Sequence, residues 1–286
     1  MARLGAHVST AGGVSQAFAN AAAIGADALQ IFVKNASRWY AKPLAEAKIA
    51  AYHAARAAHG DPPVVAHASY LINLAATNPE TLERSKVTLK DELARCAQLE
   101  IGGLVLHPGA HLGAGTDAGL DAVARSLDLV LAEADSVQVW LENTAGQGTV
   151  LGSRAEDLAA IIARCDQSER LGVCLDTCHA FAAGYPVHTE EGLEAFLKAF
   201  GSSVGFGRLR CWHLNDALYG LGSHRDRHAN LGAGEIGLET FVALARDPRF
   251  KGVPMVLETP LGEDNLGHAH DLQRLRKAVR RRPEEP

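Results

Sequence analysis

Eight short apolar runs recur along the chain, and a longer stretch of helical character follows each one. The runs are 4–9, 28–34, 64–68, 103–108, 137–144, 172–177, 209–216 and 254–259. Most are continuously apolar, as expected of strands that helices cover, and few show the strict alternation of a half-solvated sheet. Helix punctuation fills the gaps. The segment 11–25 closes on Gly25, Pro43 opens a segment that stops at Gly60, and Asn78-Pro79 precedes an acidic first turn. Further helices fit 118–134, 154–165, 189–200, 237–247 and 270–282. Eight strand–helix units in unbroken alternation predict an α/β chain with its parallel sheet closed on itself. The expectation is a single (β/α)8 TIM barrel over 1–286, with 279–286 as a frayed, solvated tail.

Composition narrows the setting. The 286 residues are 47% hydrophobic and 21% charged, with no linker or low-complexity tract. No run approaches the ~20 apolar residues that span a bilayer. The N-terminus lacks a signal-like apolar core, so a cytoplasmic location is expected, and no heptad or long apolar stripe calls for a partner subunit, so a monomer is expected. Five cysteines, an odd number with no C-x-x-C pair, read as reduced and mostly buried thiols. Cys178 is read with them, although it adjoins His179. The net charge of −5 argues mildly against a nucleic-acid partner but omits any bound metal.

Histidine and carboxylate positions say more. His67, His107, Glu142, Asp176, His213 and Glu258 stand at or just beyond the ends of six consecutive candidate strands. In a (β/α)8 barrel those C-terminal ends converge on one face, where active sites form. Any one of the six could be a satisfied buried side chain. Six at one crowded rim would need six separate sets of partners, because uncompensated buried charge is costly, and a shared cation satisfies all of them. Two further motifs join the group. Asp176 and His179 are three apart across a strand-to-helix turn, and Asp226 and His228 are two apart in a polar loop, facing one way if it is extended. Imidazoles with carboxylates and no thiolate suit zinc, manganese or iron. Nine ligands exceed what one tetrahedral ion uses, so two or three ions are expected, with a carboxylate such as Glu142 bridging. Clustered ions activate water and clamp attacking and leaving oxygens, which is phosphoryl-transfer chemistry.

At these residues the chain resembles endonuclease IV, the zinc-dependent apurinic/apyrimidinic endonuclease family. The resemblance runs through GAHVSTAGG near the start, HASYLINL (67–74), HPGAH (107–111), LENTAGQG (141–148), LDTCHAFAAGY (175–185), WHLND (212–216), DRHANLG (226–232) and LET (257–259). It implies three zinc ions, with manganese as a substitute. One ion would take His67, His107 and Glu142. A second would share Glu142 and add Asp176, His213 and Glu258. The third would use His179, Asp226 and His228. Four carboxylates against six metal charges leave about +2, a surplus suited to a phosphate. The implied reaction is hydrolysis of the phosphodiester 5′ to an abasic site in double-stranded DNA, leaving a 3′-hydroxyl and a 5′-deoxyribose phosphate. Glu142 and Glu258 are the expected residues for orienting or deprotonating the attacking water.

The resemblance also implies DNA-reading loops. Tyr70 and Leu71 match the family's intercalating pair, which enters the minor groove as the abasic nucleotide is flipped out. Asn35, Arg38 and Trp39 match a second recognition loop, and Lys34 is placed there as a phosphate contact. The loops depart from the family pattern at Ser37, where relatives carry an arginine, at Ala217-Leu218, where a lysine is common second, and at Ala233, where Gly-Glu-Gly is usual. The alternative on the same fold is a metal-dependent sugar isomerase or epimerase. The His179, Asp226 and His228 set and the SYLINL loop argue against it, since a small-sugar pocket needs neither. A DNA-binding protein with purely structural zinc would need fewer ligands.

Overall fold

The structure, a computed structural model, describes residues 2–134 and 136–281. Eight strands close into a parallel barrel: β1 (Arg3–His7), β2 (Ala28–Ile31), β3 (Val64–His67), β4 (Gly103–Leu106), β5 (Gln138–Glu142), β6 (Leu171–Asp176), β7 (Leu209–His213) and, last in the chain, β10 (Pro254–Leu257). Each strand pairs with its neighbours in sequence, and β10 closes the ring against β1 through Arg3 opposite Pro254. The outer layer holds α1 (Gln16–Ala23), α2 (Glu46–Ala58), α3 (Pro79–Gln98), α4 (Thr116–Glu133), α5 (Ala155–Arg164), α7 (Glu190–Ser203), α8 (Leu238–Arg246) and α9 (Gly267–Arg280). All eight candidate strands and all eight candidate helices are present, so the (β/α)8 expectation holds. No helix among the described residues is long and apolar enough to cross a membrane.

Three local differences have physical causes. Helix α2 begins at Glu46, three residues after Pro43, because Arg95 Nη2 donates to the carbonyls of Ala41 and Lys42 and holds the approach extended. A short helix that the pattern did not signal, α6 (Thr177–Ala182), starts directly off β6. Its N-cap is Asp176, whose Oδ1 accepts from the backbone N–H of His179 at 2.8 Å. The segment after β7 folds into an antiparallel ribbon of β8 (Asp216–Ala217) and β9 (His228–Ala229). The Asp216 carboxylate anchors it, accepting from the backbone N–H groups of Ala217, Gly232, Gly234 and Ile236. Val279 and Arg280, assigned above to the tail, are the last two residues of α9. Their turn is tied to α8, since the Arg246 guanidinium donates to the carbonyls of Ala278 and Val279. Residues 282–286 lie outside the described part.

The barrel interior explains where the ligand candidates stand. Strand side chains alternate between faces with a period of two. Val65, Val105, Trp140, Cys174, Cys211 and Val256 form one buried cluster inside the barrel, separate from the larger core between strands and helices. Two residues further along the same six strands come His67, His107, Glu142, Asp176, His213 and Glu258. Gln30 on β2 and His7 on β1 extend this second layer. The lower layer is therefore an apolar plug and the upper layer a polar floor, both dictated by the strand period. The indole of Trp140 fits because β4 and β6 carry glycine beside it. A Cβ on Gly103 would lie 2.0 Å from the indole, and one on Gly172 would lie 2.7 Å from it. Gly103→Ala is therefore expected to destabilise the barrel through overpacking by about 1–3 kcal/mol or more. Urea unfolding followed by circular dichroism measures this, and an unchanged midpoint would show that Trp140 is not clamped there.

Candidate metal centre

Nine side chains meet at the C-terminal mouth of the barrel. Glu142 is at the centre and fully buried. Its Oε2 lies 3.2 Å from His67 Nε2 and 2.9 Å from His107 Nε2. Its Oε1 lies 2.8 Å from His213 Nδ1 and 3.4 Å from His179 Nδ1. Each oxygen thus faces two imidazoles. His213 Nδ1 is also 3.3 Å from Glu258 Oε2 and 3.8 Å from Asp176 Oδ2. On the loop side, Asp226 bridges two rings, with Oδ2 3.2 Å from His179 Nε2 and Oδ1 3.2 Å from His228 Nε2. Among the described residues, five sets have their donor atoms within 4.8 Å of one another; two include a thiol (Cys174, Cys211 and His213; Asp176, Cys178 and His228), and three do not: His67, His107 and Glu142; Glu142, Asp176, His213 and Glu258; and His179, Asp226 and His228. The three without a thiol coincide with the groupings that the family resemblance implies. Each set is of a size that holds one divalent cation.

The surroundings fix how the rings present their nitrogens. His67 Nδ1, His179 Nδ1 and His228 Nδ1 donate to the carbonyls of Ala68, Asn143 and Glu258. That leaves each Nε2 lone pair aimed inward. His213 is turned over, with Nε2 on Gln30 Oε1 at 2.8 Å and Nδ1 facing the carboxylates. Orientation through the second nitrogen is what a histidine ligand requires. His228 Nε2 is buried without a well-formed hydrogen bond and faces only carboxylate oxygens, Asp226 Oδ1 at 3.2 Å and Asp176 Oδ2 at 3.9 Å. On these observations the residues fit a metal centre.

Sequence reasoning missed the residues that hold the ligands. Gln30 Nε2 donates to Glu258 Oε1 at 2.6 Å while its Oε1 engages His213. Asn215 Nδ2 donates to Asp176 Oδ2 at 2.7 Å, and its Oδ1 accepts from the Glu258 N–H. Asn143 Oδ1 accepts from the Asp176 N–H at 2.6 Å. A glutamine in the middle of an apolar strand was the available signal for Gln30. Cys178 is buried with its thiol on the Arg227 carbonyl, and all five cysteines are free.

Charge is balanced by mutual contact. Burial alone would raise the Glu142 carboxyl, but His213 and His107 outweigh it and hold it well below its ordinary value. Glu258 is held low against the same burial effect, by His213 and a hydrogen bond to His7, and Asp226 by His179 and His228. The imidazoles shift the other way. Burial would lower them, yet Glu258 and Glu142 lift His213 well above its ordinary value, Asp176 and Asp226 lift His179, and Asp226 and Asp176 lift His228 to about 9.

The recognition-loop candidates separate into two kinds. Tyr70 is exposed beside the cluster, its ring edge-on to Phe32 at 5.4 Å, and Leu71 is half-buried next to it. A cleft of about 240 Å³ is lined by Tyr70, His107, Gln147, His179 and Asp226. Asn35 and Arg38 are exposed and Trp39 half-buried on the loop after β2, where Asn35 Oδ1 accepts from the Ser37 N–H. Lys34 corrects the sequence reading. Its ammonium is buried, ion-paired with Glu92 at 3.2 Å and donating to the carbonyls of Arg38 and Trp39. With its donors spent on the protein interior, it cannot meet a phosphate.

Barrel and cluster together define the class, a metal-dependent enzyme of the xylose isomerase-like TIM barrels, whose family model matches residues 18–278. The chain belongs to the endonuclease IV family of DNA-cleaving hydrolases. It is 48% identical over 282 residues to a probable endonuclease 4 of Chloroflexus aggregans, covering 98% of this chain and 99% of the relative. It is 46% identical to a probable endonuclease 4 of Halorhodospira halophila, over 96% of this chain and 93% of that one. Among solved structures it is similar to endonuclease IV from Thermus thermophilus, with a TM-score of 0.85 at 39% identity, covering 97% of this chain and 98% of that one.

The cluster's titration predicts opposite pH profiles with and without metal. Depressed carboxylates add stability above their unfolded value of 4.5, and raised imidazoles add it below their unfolded value of 6.5. Stripped protein should therefore melt highest between those values, then lose stability as pH rises towards about 9 and the imidazoles deprotonate. A bound cation competes with the same protons, so its stabilisation should grow as pH rises. Thermal melts with chelator and with excess zinc, across this range, give the comparison. Superimposable curves would show that the cluster takes no metal.

Proposed function

We propose that this protein is a trinuclear zinc enzyme that hydrolyses the phosphodiester 5′ to an abasic site in double-stranded DNA. We further propose that it works as a cytoplasmic monomer. The observation that carries the reading is the third donor set. His179 on α6 and Asp226 and His228 on the ribbon add a complete ligand group beyond the strand ends, beside the exposed Tyr70. His67, His107 and Glu142 would hold one ion, Glu142 with Asp176, His213 and Glu258 a second, and His179, Asp226 and His228 a third. Bound there, zinc would supply an acidified water and a charge clamp on the phosphoryl oxygens.

The chain's own residues divide the remaining work. Glu142, fully buried between four imidazoles, is suited to bridging and has no open side. Glu258 keeps 16% of its side chain exposed; Gln30 Nε2 donates to its carboxylate, and its backbone N–H donates to Asn215 Oδ1, which together fix its direction. It is the carboxylate placed to orient the attacking water and take its proton. His107 and Asp226, 34% and 32% exposed, form the open edge through which a flipped nucleotide would enter. Tyr70 and Leu71 would fill the gap left in the stack, and Asn35, Arg38 and Trp39 would meet the duplex on the adjoining loop. The ribbon adds two cations that the sequence reading passed over. Arg225 stacks on Tyr219 at 4.7 Å and Arg227 lies beside it, around a pocket of about 440 Å³ that shares Gln147 and Asp226 with the metal-side cleft. Both are exposed and neither forms a salt bridge among the described residues, and Arg227 Nη1 donates to the Asp226 carbonyl at 2.6 Å, so Arg225 has the charge more open to a phosphate.

Incubation with a duplex bearing one abasic analogue, and with undamaged DNA, tests the reading. Incision of the first alone, with about three zinc per chain by elemental analysis, is expected. A fully metal-loaded protein inert on the abasic duplex would overturn it. Glu258→Gln should lower the cleavage rate by roughly 10²–10⁴-fold, the usual range for a lost general base, while duplex binding persists. Arg225→Ala should weaken duplex binding and reduce the salt slope by about 0.9, the loss of one phosphate contact. An unchanged slope removes Arg225 from the interface.

A further inference from the structure

The buried Lys34–Glu92 pair takes no part in the chemistry, and every other polar contact it makes ends on the backbone of a DNA-reading loop. The two side chains are 2% and 1% exposed, with Lys34 Nζ 3.2 Å from Glu92 Oε1. Lys34 Nζ donates to the carbonyls of Arg38 at 2.8 Å and Trp39 at 3.2 Å, at the far end of the first loop. Glu92, midway along α3, accepts at Oε2 from the Ser69 N–H at 3.1 Å, at the start of the second loop. Ser69 Oγ then donates to the Ala36 carbonyl and accepts from the Leu71 N–H at 3.3 Å. Thr88, one turn before Glu92 on α3, donates to Trp39 O at 3.4 Å. The two loops thus hang from one ion pair and touch each other through one hydroxyl.

A buried ion pair is weak evidence of stability, because apolar residues of like volume often serve as well or better. Its contacts here account for it differently. We propose that Lys34 and Glu92 are positioning residues that lock the 35–39 and 69–71 loops into one relative geometry. The duplex then meets both loops already ordered. This rests on the DNA reading above. Ordering loops in advance lowers the cost of binding and leaves the chemical step alone.

Lys34→Met combined with Glu92→Met tests the idea without stranding either charge. The double variant is expected to fold, take up the same metal and cleave saturating abasic duplex within about twofold of the normal rate. Its KM should rise about tenfold or more, the signature of lost binding without lost chemistry. Acrylamide quenching supplies a readout that needs no substrate. Trp140 and Trp212 are buried in the barrel, so quenching reports on the half-buried Trp39 and should increase. A folded double variant with normal KM and normal quenching would overturn the proposal. Should the double variant fail to fold, Glu92→Gln keeps an oxygen for the Ser69 N–H and weakens the tie to Lys34. A raised KM and raised quenching there support the proposal, and normal values overturn it. Normal protein inert on abasic DNA would instead sink the functional reading, leaving the quenching result to decide this one.

Discussion

One carboxylate with no access to water organises the mouth of this barrel. Glu142 is fully buried, and an isolated buried carboxylate would protonate before it stayed charged. It stays ionised because four imidazoles face its two oxygens, two on each. Those imidazoles come from β3, the loop after β4, α6 and β7, so satisfying one charge fixes four elements of the chain against one another. The remaining nitrogens of His67, His213 and His179 are then committed to the Ala68 carbonyl, to Gln30 and to Asp226, which leaves none of these rings free to turn away. The polar floor is thus held rigidly from below and from the sides. Below it, Val65, Val105, Trp140, Cys174, Cys211 and Val256 close the barrel to water. This keeps the low dielectric that makes each contact above them count.

Much of this was legible in the sequence because a strand's period is two. Once eight apolar runs are taken as parallel strands, the residue two beyond each plug position must point inward at the mouth. The six strand-end candidates occupy those positions without exception. His179 was legible from its place three residues past Asp176 across a strand-to-helix turn, and the cap that Asp176 makes on the His179 N–H explains why the two meet. Asp226 and His228 followed from spacing alone, and they do converge, Asp226 Oδ1 lying 3.2 Å from His228 Nε2.

What was not legible depends on residues distant in sequence. Lys34 looks like a solvated loop lysine until Glu92, on the helix of the next unit, is seen to take its charge inward. Nothing within a few residues of either announces the other. Gln30 is similar. Its burial is visible as an oddity in an apolar strand, but its role needs β2, β7 and β10 to be assembled. Local pattern therefore locates the groups that do chemistry, while the groups that hold them are identified only by the closed barrel.

The overall charge of −5 and a polyanionic substrate are reconciled by the same floor. A duplex approaching this face meets a local field set by a few groups, and the rest of the surface is screened within about 8–10 Å at physiological salt. Without cations the floor carries four carboxylates, offset by imidazoles that hold protons above their usual range. On the proposed reading three divalent ions would replace those protons, and six charges against four would leave about +2 at the mouth of the barrel. Arg225 and Arg227 line the pocket that Asp226 shares with that floor. On that reading metal would turn a floor whose carboxylates and protonated imidazoles roughly offset one another into one with a positive surplus for a phosphodiester. The protein's acidity elsewhere does not weaken that attraction, and it disfavours the non-specific binding that a uniformly basic surface would bring.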